Sequence, residues 1–134
     1  MSYPRELNGS EVPTGLSSLV VDLANRLLAG DALQHQVLRA QLASAQIDRI
    51  TLTGAGIYAY FKVSTECDLV SPPEMIGGDV TIEVPALDTP AGSLIKVSEG
   101  KIDYVEIYTF GENAWPDDPQ EVSLGFSDPL PIPK

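Results

Sequence analysis

The chain has 134 residues, 43% of them hydrophobic, with 19 acidic against 8 basic residues, one histidine and a formal net charge of −11. That length supports a single domain around one core without a metal or disulfide staple, and the lone Cys67 cannot form an intramolecular disulfide. The charge is the opposite of a nucleic-acid footprint, because Lys and Arg must displace condensed counterions from phosphates, so no nucleic-acid partner is expected.

The acidity is uneven. Four acidic and three basic residues over 1–46 leave −1, eight against three over 47–100 leave −5, and seven against two over 101–134 leave −5. Such a balance favours solubility and, where an acidic surface is presented, a basic partner. No apolar run approaches the ~18 to 20 residues of a membrane span, and the amino terminus lacks the basic-then-apolar order of a signal peptide. A reducing cytoplasm is therefore the expected compartment.

Residues 1–15 carry Pro4, Gly9, Pro13 and Gly15 without a sustained period and read as a loosely ordered arm. Leu16, Leu19, Val20, Leu23 and Leu27 then fall on one helical stripe, opposite Ser18, Asp22 and Asn25. Gly30 is placed to stop that helix in the left-handed conformation, and Asp31 to cap the next, with Gln34 completing an approximate capping box. The second helix, about 32–46, presents Leu33, Val37, Leu38, Leu42 and Ala45, so the pair forms a helical hairpin.

From Ile47 the period changes to two. Ile50 and Leu52 lead through Gly54-Ala55-Gly56 into a second strand with Ile57, Ala59, Phe61 and Val63 on one face and Tyr58, Tyr60 and Lys62 on the other. Residues 64–77 read as a loop around Pro72, Pro73 and Gly77. Asp79–Val84 is a third strand, with Val80, Ile82 and Val84 inward and Thr81 and Glu83 outward. A fourth, Ser93–Val97, joins a long fifth beginning at Lys101 through a short turn in which Gly100 supplies the positive φ. Strands without interleaved helices argue for an antiparallel sheet, and the two helices then cover one face. The expected fold is α+β: an N-terminal two-helix hairpin on one face of a roughly five-stranded antiparallel sheet, spanning 16–116. A Pro-rich acidic tail, 117–134, follows. Its Val122, Leu124, Phe126, Leu130 and Ile132 are too many apolar groups for a solvated linker, so the tail is expected to pack on the domain.

Candidate chemistry is sparse. Cys67 stands between Glu66 and Asp68, which disfavour the nucleophilic thiolate. His35 lies between two glutamines at the edge of its helix's apolar side and reads as a solvated histidine. One His and one Cys give no zinc spacing, there is no calcium loop, and no catalytic set, metal or cofactor is expected. Asp117, Asp118 and Glu121 form an acidic cluster that reads as a solvated face or a meeting point for a basic partner.

The remaining candidate is the sheet face turned away from the helices. Alternation places Tyr58, Tyr60, Lys62, Thr81, Glu83, Tyr104, Glu106, Tyr108 and Phe110 there, with Trp115 one turn beyond the last strand. That is more aromatic area than a solvated face needs. One explanation is a second small core, in which the tail folds back with Trp115, Phe126, Leu130 and Ile132. The other is a binding surface of Tyr58, Tyr60, Lys62, Tyr104, Glu106, Tyr108 and Trp115, since tyrosine supplies contact area and hydrogen bonding at low entropy cost.

Three segments resemble an uncharacterised family of small bacterial proteins: Leu27-Leu28-Ala29-Gly30-Asp31; Leu38-Arg39-Ala40-Gln41-Leu42 leading to Thr53-Gly54-Ala55-Gly56; and Glu106-Ile107-Tyr108-Thr109-Phe110-Gly111-Glu112 with Trp115-Pro116. The resemblance covers about residues 16–116. The family has no established activity, so it implies none and assigns no site residue. The Glu99-Gly100-Lys101-Ile102 hairpin also resembles the late hairpin of cystatin-like and nuclear-transport-factor-like folds, whose helix between the early strands has no counterpart here. The sequence reading is a non-enzymatic acidic binding protein, for example a partner-neutralising, immunity-like protein meeting a basic protein. The alternative is a small-molecule binder or an enzyme using Glu106 and the tyrosines.

Overall fold

The computed structural model describes residues 5–70, 74–77, 80–84, 87, 89–110 and 114–115, together with the backbone of Gly125–Ser127. In chain order its elements are β1 (Arg5–Asn8), α1 (Thr14–Leu27), α2 (Leu33–Ser44), β2 (Gln46–Leu52), β3 (Gly56–Lys62), β4 (Met75–Gly77), β5 (Thr81–Glu83), β6 (Gly92–Ser98), β7 (Lys101–Tyr108) and β8 (Gly125–Ser127). Six strands form one antiparallel sheet in the order β1-β2-β3-β7-β6-β4, and β5 and β8 form a separate two-stranded ribbon. The fold is the expected α+β class, with both helices near the N-terminus and packed on the sheet.

The helical stripe is buried as its spacing requires. Leu16, Leu19, Val20, Leu23 and Leu27 of α1 join Leu38 and Leu42 of α2 in one core with Ile50, Leu52, Ile57, Ala59, Ile95, Val97, Ile102, Val105 and Ile107 of the sheet's inner face. Val37 and Phe61 are only half-buried, and Leu33 is exposed. The hairpin joint differs from the expected one. Gly30 has no positive φ; a Cβ there would meet the His35 ring, whose Nδ1 lies 2.4 Å from where it would stand. The Gly30 N–H donates to His35 Nδ1 at 3.1 Å, so His35 is a half-buried joint residue rather than a solvated one. Ala32, not Asp31, precedes the second helix, without a side-chain cap. Arg39 Nη1 donates to the carbonyls of Leu28 and Gly30, the latter at 2.8 Å, and so places a cation on the orphan carbonyl end of α1.

Three expectations about strands are corrected. Arg5–Asn8, read as part of a loose arm, pairs with β2 as an edge strand; Leu7 opposite Ile50 adds apolar cover that a four-residue pattern is too short to signal. Met75–Gly77, read as loop, is the other edge, paired with β6. Thr81–Glu83 does have Val80, Ile82 and Val84 buried, but it is not a strand of the main sheet. Ser93 Oγ donates to the Val80 carbonyl at 2.6 Å from the inner face, and Ile82 and Ala91 exchange backbone hydrogen bonds at 2.9 Å, which draws β5 across the core side of β6. Thr81 and Glu83 therefore leave the candidate face.

The β6–β7 hairpin turns at Glu99 and Gly100, with φ of 53° and 81°, so both central residues are left-handed, as a tight two-residue turn needs. Gln41 of α2 is 1% exposed and grips this turn. Its Nε2 donates to the Gly100 carbonyl at 2.9 Å and the Asp68 carbonyl at 2.8 Å, and its Oε1 accepts from the Ile102 N–H at 3.0 Å. A polar residue on the apolar stripe of a helix thus becomes the tie between helix, loop and hairpin.

Candidate functional site

Sheet register builds the outer face row by row. One row runs Asn8, Arg49, Tyr60, Tyr104, Lys96, Met75, and the next runs Glu6, Thr51, Tyr58, Glu106, Leu94, Gly77. Tyr58 and Tyr60 lie two apart on β3, their rings tilted by 26° with centroids 6.4 Å apart. Tyr104 lies across both, at 5.3 Å and 75° from Tyr58 and at 5.4 Å and 59° from Tyr60. The three rings, all half-buried, form a three-sided aromatic cluster.

Charged groups surround it. The Arg49 guanidinium lies 4.0 Å from the centroid of Tyr60, held by Asp48 at 2.9 Å and Glu6 at 3.8 Å. Lys96, opposite Tyr104, pairs with Glu74 at 3.8 Å. Glu106 has no such cation among the described residues; it stands opposite Tyr58 in register. Burial first, then the nearby Glu106 carboxylate, push the Tyr58 phenol above its ordinary value. Burial, then Glu106 and Asp103, raise Tyr104 as well. Negative charge from Glu106 thus acts on the phenols of both Tyr58 and Tyr104.

The other expected site residues separate into two groups. Tyr108 stands one row further along, its ring over Gly92 and 5.5 Å from Phe110, while Lys62 ends β3 as an exposed side chain opposite Gln46. Trp115 does not belong to the face. It is 3% exposed within the main core, its N–H bonded to the Gly54 carbonyl at 2.9 Å. Its indole Nε1 has no hydrogen-bond partner among the described residues. The backbone of β8 pairs with β5, with Phe126 opposite Ile82 in register, and not with a strand of the main sheet. Leu130, Ile132, Asp117, Asp118 and Glu121 lie outside the described residues.

Arg49, Lys96 and Asp103 are site residues that the sequence reading did not single out. Arg49 was detectable in principle, since it alternates with Ile50 and Leu52, but its partner Tyr60 follows from the bulge between Ile47 and Arg49, which no local pattern announces. A second concavity, of about 390 Å³, opens on the helix side between Val37, Ala40, Gln41 and Ser44 of α2 and Ser64, Glu66, Cys67 and Asp68. It does not include Glu106. Comparison with family models, curated proteins and solved structures finds no match to this chain.

Proposed function

We propose that this chain is a non-enzymatic binding protein that engages a basic protein partner through the outer face of its sheet, in the manner of a partner-neutralising, immunity-like protein. The observation that carries the reading is the three-tyrosine cluster of Tyr58, Tyr60 and Tyr104, half-buried on a face over which no described element packs. Tyrosines in this state offer rigid apolar area with a polar rim, the composition that interfaces favour over bare surface. Leu94 and the exposed Met75 extend the patch towards one edge, and Arg49 and Thr51 towards the other. The chain's resemblance, over about residues 16–116, to an uncharacterised family of small bacterial proteins assigns no activity to it.

The test compares wild type with a Tyr58→Ala, Tyr60→Ala, Tyr104→Ala variant, both immobilised and exposed to extract of the native host. The expected result is a basic protein retained by wild type, lost by the variant, and binding again when purified and titrated against the wild-type chain. A partner that binds the variant undiminished, or that is lost only when the cleft beside Gln41 is altered, overturns the reading.

A further inference from the structure

Within that outer face, and resting on the reading just given, we propose a specific subsite: the rim of Tyr58, Tyr60 and Tyr104 together with the Glu106 carboxylate receives an arginine side chain from the basic partner. Three observations converge on this ligand chemistry. Tyr58 and Tyr60 stand side by side at 6.4 Å with Tyr104 5.3 and 5.4 Å from them, so a planar cation laid against the face of one ring stays close to the other two. Glu106, in the register position between Tyr58 and Leu94, adds a formal negative charge that no described Lys or Arg neutralises. That carboxylate stands opposite Tyr58 and offers its oxygen lone pairs to a donor from outside.

The surface already holds one guanidinium. Arg49 lies against the Tyr60 ring at 4.0 Å, which fixes the kind of cation that this cluster accommodates: planar, weakly hydrated and able to lie along an aromatic face while donating to a carboxylate. Arg49 does not turn the subsite positive, because Asp48 and Glu6 balance it, and Lys96 is likewise paired with Glu74. What remains uncompensated at the centre is Glu106, in a chain of net charge −11 whose long-range field draws a basic partner in. A compact lysine ammonium would meet the same charge but forgo the flat stacking and the fork of parallel hydrogen bonds, so arginine is the preferred guest.

The experiment uses the full chain and a short capped peptide with two arginines separated by glycine. Matched peptides carry citrulline or lysine in place of arginine, and a short single-stranded oligothymidine is a further arm. Binding is read by calorimetry and by shifts of the tyrosine ring resonances. The arginine peptide should bind at least about tenfold more tightly than the citrulline peptide, as expected for removing one cation–π and carboxylate contact. Glu106→Gln should remove most of that preference while leaving the melting temperature near wild type, and Tyr104→Leu should weaken all peptides. Equal binding of arginine and citrulline peptides, an unchanged preference in Glu106→Gln, or tighter binding of the oligothymidine overturns the proposal. If the triple tyrosine variant loses a host partner while no arginine peptide binds the wild type, the wider binding reading stands and the arginine subsite falls.

Discussion

At the scale of single residues, Glu106 and Gln41 lead to separate measurements. Tyr58 and Tyr104 are both raised above 10.0, by burial first and Glu106 second. Below that value both phenols are protonated whether the chain is folded or not, and the interaction is fully present. As pH rises past 10.0 the unfolded chain releases its phenolic protons first, so the folded state loses stability until the folded groups titrate too. Tyrosinate absorbance should therefore show two late-titrating phenols in the native protein, and Glu106→Gln should move them towards 10.0. Superimposable titrations of the two proteins would refute the assigned cause. Gln41→Leu keeps the apolar stripe but strips the partner from the buried Ile102 N–H and one donor each from the carbonyls of Asp68, which is exposed, and Gly100, which keeps the Val70 N–H. A buried group left unpaired costs about 1 to 3 kcal/mol, so denaturant melts should show a loss in that range. A loss under about 0.5 kcal/mol would place Gln41 outside the network.

At the scale of elements, the stripe of α1 and the alternation of β2, β3, β6 and β7 were legible because each is long enough to establish its period against a buried face. Leu27→Ala should accordingly cost about 2 to 5 kcal/mol in equilibrium unfolding, the range for truncating a buried leucine. The joint between the helices was not legible. Local rules propose a glycine stop and an aspartate cap, whereas His35 and Arg39, from the following helix, satisfy Gly30 and Leu28 across the joint. Arg39→Ala should lower stability more than a surface substitution, by about 1 kcal/mol, since it uncovers carbonyls at the end of α1. An unchanged melt would mean that solvent replaces the guanidinium there. The edge strands β1 and β4 escaped for a plainer reason: three or four residues cannot express a period, and their identity comes from the neighbours they pair with.

At the scale of the molecule, alternation brings Tyr58, Tyr60, Tyr104 and Glu106 to one face, but strict alternation along β7 also puts Ile102 there, whereas the register shift between Lys96 and Val97 turns Ile102 into the core. Alternation does not name a strand's partner, however, so Thr81 and Glu83 were assigned to a face that their strand never joins. Trp115 illustrates the same gap: its place after β7 allowed it to fold to either side, and the Gly54 carbonyl takes it to the core. The ribbon gives a test of the tail. Deleting residues 117–134 removes β8 from β5, so the melting temperature should fall, at about 3 to 6 °C for each ~1 kcal/mol lost. Solvent perturbation of tyrosine absorbance should stay unchanged, because β8 pairs with β5 and not with a strand of the main sheet. A marked rise in tyrosine exposure with the same deletion would show that the tail covers the outer face instead.

The Gln41 tie also bears on the order of events when the chain folds. Its three partners lie 27, 59 and 61 positions further along, so the amide cannot be satisfied by anything near it and must wait for the β6–β7 hairpin to close and the helix to dock. Loop closure over such distances is costly before the contacts it permits are made, which puts this junction late on the folding route. A late junction reports on escape from the native basin more than on entry to it. In stopped-flow experiments Gln41→Leu should leave the refolding limb of the chevron almost where it is and raise the unfolding limb, giving a φ-value near zero. The residue that joins three parts of the fold would then act as its latch, setting how long the native state survives and having little influence on how quickly it is found.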